Sequence, residues 1–187
     1  MTQSLKILNS KEIKHIRELL HDQFGHEERL DVAFFLNEKK ERIYIFTKDL
    51  AQFDMTRLRI DTMGLYFGTL YEGQLRLTID GTQLIGAQCT KNVLDIDHKE
   101  LQVWMQGEKL IISQLSNQPD TPLTGFVIIR YRHENGIDYL GCGKVGGDTL
   151  LNYVPKTRYI RATYDDDATI EGRKRERSKD EDITASD

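Results

Sequence analysis

Two cysteines in 187 residues, Cys89 and Cys142, are too few for a disulfide-rich secreted scaffold or a four-cysteine zinc site. Proline is as scarce, with three residues, two of them at 119 and 122 in one polar loop. No stretch approaches the ~20 apolar residues of a membrane span. Residues 1–7 hold one lysine and no apolar core of a signal peptide. Reduced thiols without a leader or a span lead to the expectation of a cytoplasmic protein that makes no membrane contact. Neither sign of charge dominates: 26 Lys and Arg stand against 30 Asp and Glu, for a net charge of -4. A wholly basic nucleic-acid coat protein is thereby excluded, although the distribution of charge says more than its sum.

The residues that carry catalysis are also thinly spread. His15 and His21 are six apart and His21 and His26 five apart, whereas a metal pair on one helical face needs a spacing of four. His98 and His133 stand alone, and His133 lies beside a turn. Gly141, Gly143, Gly146 and Gly147 are flanked by strand-like residues, so they do not open a helix around a phosphate. Cys142 has no base nearby in sequence, and like Cys89 it reads as a small buried side chain. Asp95 and Asp97 are accounted for by flanking a strand and capping a helix. No catalytic constellation, metal site or cofactor is expected, and the chain is read as a non-enzyme.

What is present is organised unevenly. Residues 165–187 hold nine acids and five bases, with Ile170 and Ile183 the only aliphatic residues larger than alanine. Such a segment cannot bury enough apolar surface to offset its ordering entropy and is expected to be a disordered acidic tail. The body, residues 1–164, then carries 21 bases and 21 acids. Within it, residues 125–164 hold six bases (Arg130, Arg132, Lys144, Lys156, Arg158, Arg161) against three acids (Glu134, Asp138, Asp148), a local +3.

Periodicity divides the body into an α+β part, residues 1–80, and a mostly β part, residues 81–164. Ser10 reads as the N-cap of a first helix whose apolar face is Ile13, Ile16, Leu20 and Phe24, and Gly25 is placed to end it. Residues 32–36 and 43–46 flank a charged turn and read as a hairpin. A helix start is expected at 47–50. Residues 63–70 and 74–79 read as a second hairpin about Tyr71-Glu72-Gly73. A short helix over 80–87, a strand over 93–96 and a helix capped by Asp97 through Trp104 follow. After them come strands at 110–112, 126–131, 139–145, 149–153 and 157–160, a spacing that suggests a small barrel. No linker composition marks the seam, so the two parts are expected to pack rigidly.

The C-terminal strands carry the candidate chemistry. If 157–160 is a strand, Lys156 and Arg158 share a face, with Lys144, Asn152 and Arg161 close in sequence. Several cations with one amide suit an RNA backbone, the charges neutralising phosphates and the amide reading a base or a 2′-hydroxyl. Tyr153 and Tyr159 offer stacking surfaces. The plainer alternative is that the charges are solvated and the tyrosines belong to the core. Arg76, between inward Leu75 and Leu77, points outward and is available for an ion pair with Asp80 or Glu72, or for a ligand. Lys91 is a further basic candidate.

Three segments resemble a known pairing. They are Gly64-Leu65-Tyr66-Phe67-Gly68 running into Leu75-Arg76-Leu77-Thr78-Ile79; Lys91-Asn92-Val93 through Trp104-Met105-Gln106-Gly107-Glu108; and Gly141-Cys142-Gly143-Lys144 followed by Leu151-Asn152-Tyr153-Val154-Pro155-Lys156-Thr157-Arg158. Together they resemble a pre-PUA domain followed by a PUA domain. The pairing is that of the stand-alone large-subunit ribosome biogenesis factors of archaea and eukaryotes, and it is similar to the RNA-binding region of Sun-type rRNA cytosine-5 methyltransferases. The resemblance covers roughly residues 5–160. It implies an N-terminal α/β pre-PUA domain packed on a C-terminal PUA mixed β pseudo-barrel that binds structured RNA, an rRNA or its precursor. It places Lys144, Lys156, Arg158 and Arg161 on the RNA side. The methyltransferases' Rossmann domain and catalytic cysteine pair have no counterpart here. The second expectation is an adaptor that docks a methyltransferase or a ribosome assembly protein and binds RNA weakly on its own.

Overall fold

In the computed structural model, which describes residues 5–49 and 64–160, a short strand β1 (Leu5–Ile7) leads into helix α1 (Ser10–Phe24). The helix starts where its orphan donors find acceptors. Asn9 Oδ1 accepts the Lys11 and Glu12 amides at 3.0 and 3.1 Å, and Glu12 returns its carboxylate to the Asn9 amide at 2.9 Å. The N-cap is therefore Asn9, one residue before the expected Ser10, because the reciprocal box needs a glutamate three residues on. Gly25 ends the helix as expected, in the left-handed conformation at φ 64. A Cβ there would meet Thr90 Oγ1 at 2.2 Å, so only glycine fits.

The first sheet is antiparallel throughout, in the order β1-β2-β3-β4-β5. Its strands β2 (Ala33–Asn37), β3 (Arg42–Phe46), β4 (Leu65–Tyr71) and β5 (Gln74–Leu77) form the two expected hairpins, and α1 packs on one face. Glu72 and Gly73, at φ 51 and 75, supply the paired positive angles of the tight turn between β4 and β5. The helix start expected at 47–50 shows only Lys48 and Asp49, in a 3-10 turn; its continuation and Met63 lie outside the described residues. So do Arg161 and the whole of the expected tail.

Helix α2 (Ile79–Ile85) begins one residue earlier than expected, capped by Thr78, whose hydroxyl accepts the Gly81 amide at 3.0 Å. Its end tightens into a 3-10 turn over Gly86–Gln88. Small residues let α2 approach both sheets. A Cβ on Gly81 would come within 2.2 Å of Phe67 O in β4, and one on Gly86 within 2.3 Å of the Tyr139 ring.

The second sheet is mixed, in the order β6-β8-β9-β10-β7. Strand β6 (Val93–Ile96) runs parallel to β8 (Phe126–His133), as helix α3 (His98–Met105) and the long loop after it require. The pairings of β9 (Gly136–Gly146), β10 (Thr149–Asn152) and β7 (Leu110–Ile111) are antiparallel. Asp97 and Glu100 cap α3 reciprocally, and Trp104, fully buried, donates its indole N–H to Leu140 O at 3.1 Å. The fold is thus α+β. Among the described residues the mixed sheet stays open, ending at β6 and β7, and no ring of strands closes.

Strand β8 explains how the sheets join. Phe126 and Ile128 point into a core with Ile16, Leu20, Phe24, Phe34 and Phe67 of the first half. Val127 and Ile129 point the other way, into a core with Trp104, Leu94, Leu150 and Val154. A strand buried on both faces reads as one continuous apolar run. Among the described residues no helix is long and apolar enough to cross a membrane.

The strand expected over 157–160 is absent. Pro155 is followed by a 3-10 turn over Lys156–Arg158, in which the Arg158 amide donates to Pro155 O at 2.8 Å. The edge of β10, the strand just before it, is already taken by β7. It runs instead along α3, where the Ile160 amide reaches Met105 O at 2.9 Å.

Candidate nucleic-acid interface

Two of the expected cations meet where the sheets abut. Lys144 lies on β9 opposite Phe126 of β8, and Arg76 lies mid-strand on β5 opposite Thr69 of β4. The Lys144 ammonium stands 4.5 Å from the centre of the Tyr71 ring and 5.6 Å from that of Phe126. The Arg76 guanidinium lies 5.1 Å from the centre of Tyr153. Edge-to-face contacts of Phe126 with Tyr71 (6.1 Å) and Tyr153 (5.6 Å) tie the rings together. The result is a seam of two partly buried tyrosines joined through the fully buried Phe126, with a cation at each end held by the negative face of a ring.

The acids expected beside Arg76 serve other partners. Glu72 takes Lys144 at 3.0 Å, and Asp80 takes Arg158 at 3.5 Å. The hydrogen bond to Glu72 holds the Lys144 ammonium above its ordinary value. Arg76 itself donates to Thr69 Oγ1 at 3.2 Å and, among the described residues, has no carboxylate.

The other candidates separate. Lys156 and Arg158 are exposed on the 3-10 turn, so the shared strand face does not exist, although the Asp80 contact still brings Arg158 beside the start of α2. Lys91 is exposed between the 3-10 turn that ends α2 and the start of β6, against the end of α1, where its amide donates to Phe24 O at 3.0 Å. Asn152 is not free to read a base. Its amide nitrogen donates to Trp104 O at 2.7 Å and Glu108 O at 3.2 Å, and its oxygen accepts the Val154 amide at 2.8 Å. It fastens β10 to the end of α3. Tyr153 belongs to the seam, whereas Tyr159 packs over Gly107 and joins the second core.

Sequence reading passed over a further group on the outer face of the first sheet. Arg42 lies 5.2 Å from the centre of Tyr66, whose hydroxyl shares a 2.5 Å hydrogen bond with Thr69 Oγ1. Tyr44 and Tyr66 lie side by side, ring centres 5.4 Å apart and 32° from parallel. Alternation in Arg42-Ile43-Tyr44-Ile45 was the available signal, since it sends Arg42 and Tyr44 away from the buried isoleucines.

Elsewhere the titratable groups are structural. Burial pushes both thiols up to about 12. Asp95 receives Arg130 in a two-pronged pair at 2.6 and 2.7 Å, which holds its carboxyl below the ordinary range. The run from Gly141 to Gly146 has the spacing of a dinucleotide fingerprint, yet it lies inside β9 and leads through a turn into β10, with no helix to receive a phosphate. Among the described residues no group of three or more His, Cys, Asp or Glu side chains is placed to hold a metal ion. Two open clefts, one along α1 beside His26 and one between Asp97 and Tyr131, both lie off the seam. No protein-family model matches this chain, and no curated protein matches it.

Proposed function

We propose that the protein is a non-catalytic RNA-binding protein of the pre-PUA plus PUA kind that acts in rRNA processing, modification or ribosome assembly. The observation that carries the proposal is the seam: Lys144 and Arg76 held over tyrosine rings, with Arg158 anchored by Asp80 and Lys156 exposed beyond it. Phosphates meet the cations there and unpaired bases meet the rings, which suits the single-stranded loops and ends of a folded RNA. A mixed sheet carrying one parallel pair supports the resemblance from which the reading began.

Fluorescence anisotropy with an rRNA fragment across a salt series tests it. Four phosphate contacts give a log–log slope of about -3 with the single-strand coefficient. An Arg76→Glu/Lys144→Glu variant is expected to lose most of the affinity, and Lys156→Glu/Arg158→Glu a comparable share. Salt-independent binding, or binding indifferent to all four charges, overturns the proposal and moves the weight to a protein-docking adaptor.

A further inference from the structure

The contacts do not stop at the seam. Starting at Lys144 they pass over Tyr71 to Phe126 and Tyr153, then to Arg76. Arg76 donates to Thr69, Thr69 bonds the Tyr66 hydroxyl, and Tyr66 lies under Arg42 and beside Tyr44. Strand register makes this a built row. Arg42, Thr69 and Arg76 are direct neighbours across β3, β4 and β5, so they stand on one face, Arg42 and Arg76 about 10 Å apart at the usual strand spacing. The shift in register between Ile43 and Tyr44 lets Tyr66 share the face with Thr69, although the two are three residues apart. Among the described residues neither arginine has a carboxylate partner, and Glu72 at the far end is the only acid in the chain of contacts.

We infer that this outer face of the first sheet, Arg42, Tyr44, Tyr66 and Thr69, is a second RNA contact that stacks the bases of a single-stranded segment leaving the seam. The inference rests on the RNA-binding reading above and adds to it a place and a substrate form. Charge complementarity selects the occupant. Cations alternate with the partly exposed rings of Tyr44 and Tyr66 and with hydroxyls, beside the fully buried Phe35 opposite Tyr44, which suits a strand whose phosphates and bases alternate, and a single acid at the far end disfavours a basic protein partner. A paired helix hides its bases and gains nothing from the rings.

The test uses the full chain and a 5-iodouridine-substituted single-stranded RNA, with the same sequence annealed into a blunt duplex as comparison. Photo-crosslinking is expected on peptides carrying Tyr44 or Tyr66, from the single strand and not the duplex. Tyr66→Leu is expected to weaken single-strand binding about 5- to 150-fold, the range for loss of one stacked base, with the salt slope unchanged. Arg42→Ala is expected to make that slope shallower by about 0.7. If both variants bind like wild type while the Arg76→Glu/Lys144→Glu variant does not, this inference falls and the seam stands. Duplex bound as tightly as single strand, with no tyrosine crosslink, overturns it in the same way. If the wild type binds no RNA, both fall together.

Discussion

Asn152→Ala separates a binding residue from a fastening one. The side chain makes three hydrogen bonds, to Trp104 O, Glu108 O and the Val154 amide. Each such bond contributes about 1 kcal/mol net. The bond to Glu108 is solvent-exposed, so water replaces it at small cost. The other two are half-buried; their loss strands the Val154 amide, whereas the Trp104 carbonyl keeps the Gly107 amide at 3.0 Å. The expected cost is about 2–3 kcal/mol. For a domain of this size that lowers Tm by roughly 5–10 °C. Asn152→Asp turns a carboxylate toward two carbonyls and is expected to cost at least as much at neutral pH. Calorimetry reads the stability, and anisotropy at 20 °C, where the variant is still folded, reads RNA affinity, which is expected to stay within twofold of wild type. An unchanged Tm with a lost affinity refutes the reasoning and returns Asn152 to the binding surface.

Glu72→Gln releases Lys144 from its one acid and is expected to tighten RNA binding up to about fivefold, a gain that high salt removes; weaker binding contradicts the seam's role. Gly86→Ala drives a methyl group into the Tyr139 ring and is expected to cost about 1–3 kcal/mol in urea titrations, a wild-type midpoint arguing against the close approach of α2 and β9. Asp95→Ala breaks the Arg130 pair, partly screened by solvent, at a cost of about 1–2 kcal/mol at pH 7. Because Arg130 lowers the Asp95 carboxyl, that contribution is full above the ordinary value of 3.8 and is lost as pH falls through the lowered one, so the two proteins converge in stability in acid. Burial raises both thiols from 9.0 to about 12, so neither reacts rapidly with a disulfide reagent at pH 8 until the chain is unfolded. Their contribution is complete below 9.0 and declines as pH climbs toward about 12, which alkaline denaturation measures.

How much of this was legible depended on how local the cause was. Helix α1, the hairpins and α3 follow from spacing, a glycine at the right end and a polar cap, all within a few residues of one another. Ser10 is a good capping residue, but the cap is chosen by Glu12, and Glu12 reaches Asn9. Strand β1 is three residues long and has no alternation to show; its existence depends on β2 alone. The strand expected at 157–160 has suitable residues, but the edge of β10 beside it is occupied by β7, more than 40 residues earlier. The candidate site divides in the same way. That Arg76 points outward came from alternation, but its partner Tyr153 comes from the other sheet. Asn152 resembled a reader because an amide among cations does, and only the carbonyls at the end of α3 show its use. Arg42 and Tyr66 were missed because a bulge puts them in contact, and bulges leave little trace in a single sequence.

The two-faced strand β8 has a consequence for how the chain is made. Ile16, Leu20 and Phe24 leave the ribosome early, yet Phe126 and Ile128, which finish their core, are added about 100 residues later. At ordinary synthesis rates that gap lasts about 5–20 s. From about its midpoint, when Leu77 has been added, the first sheet and α1 can form their hydrogen bonds but still expose the apolar surface that β8 and β9 later cover. A nascent chain in that state is a natural client for a holding chaperone, and a ribosome stalled before residue 126 releases a sticky product rather than a smaller folded domain.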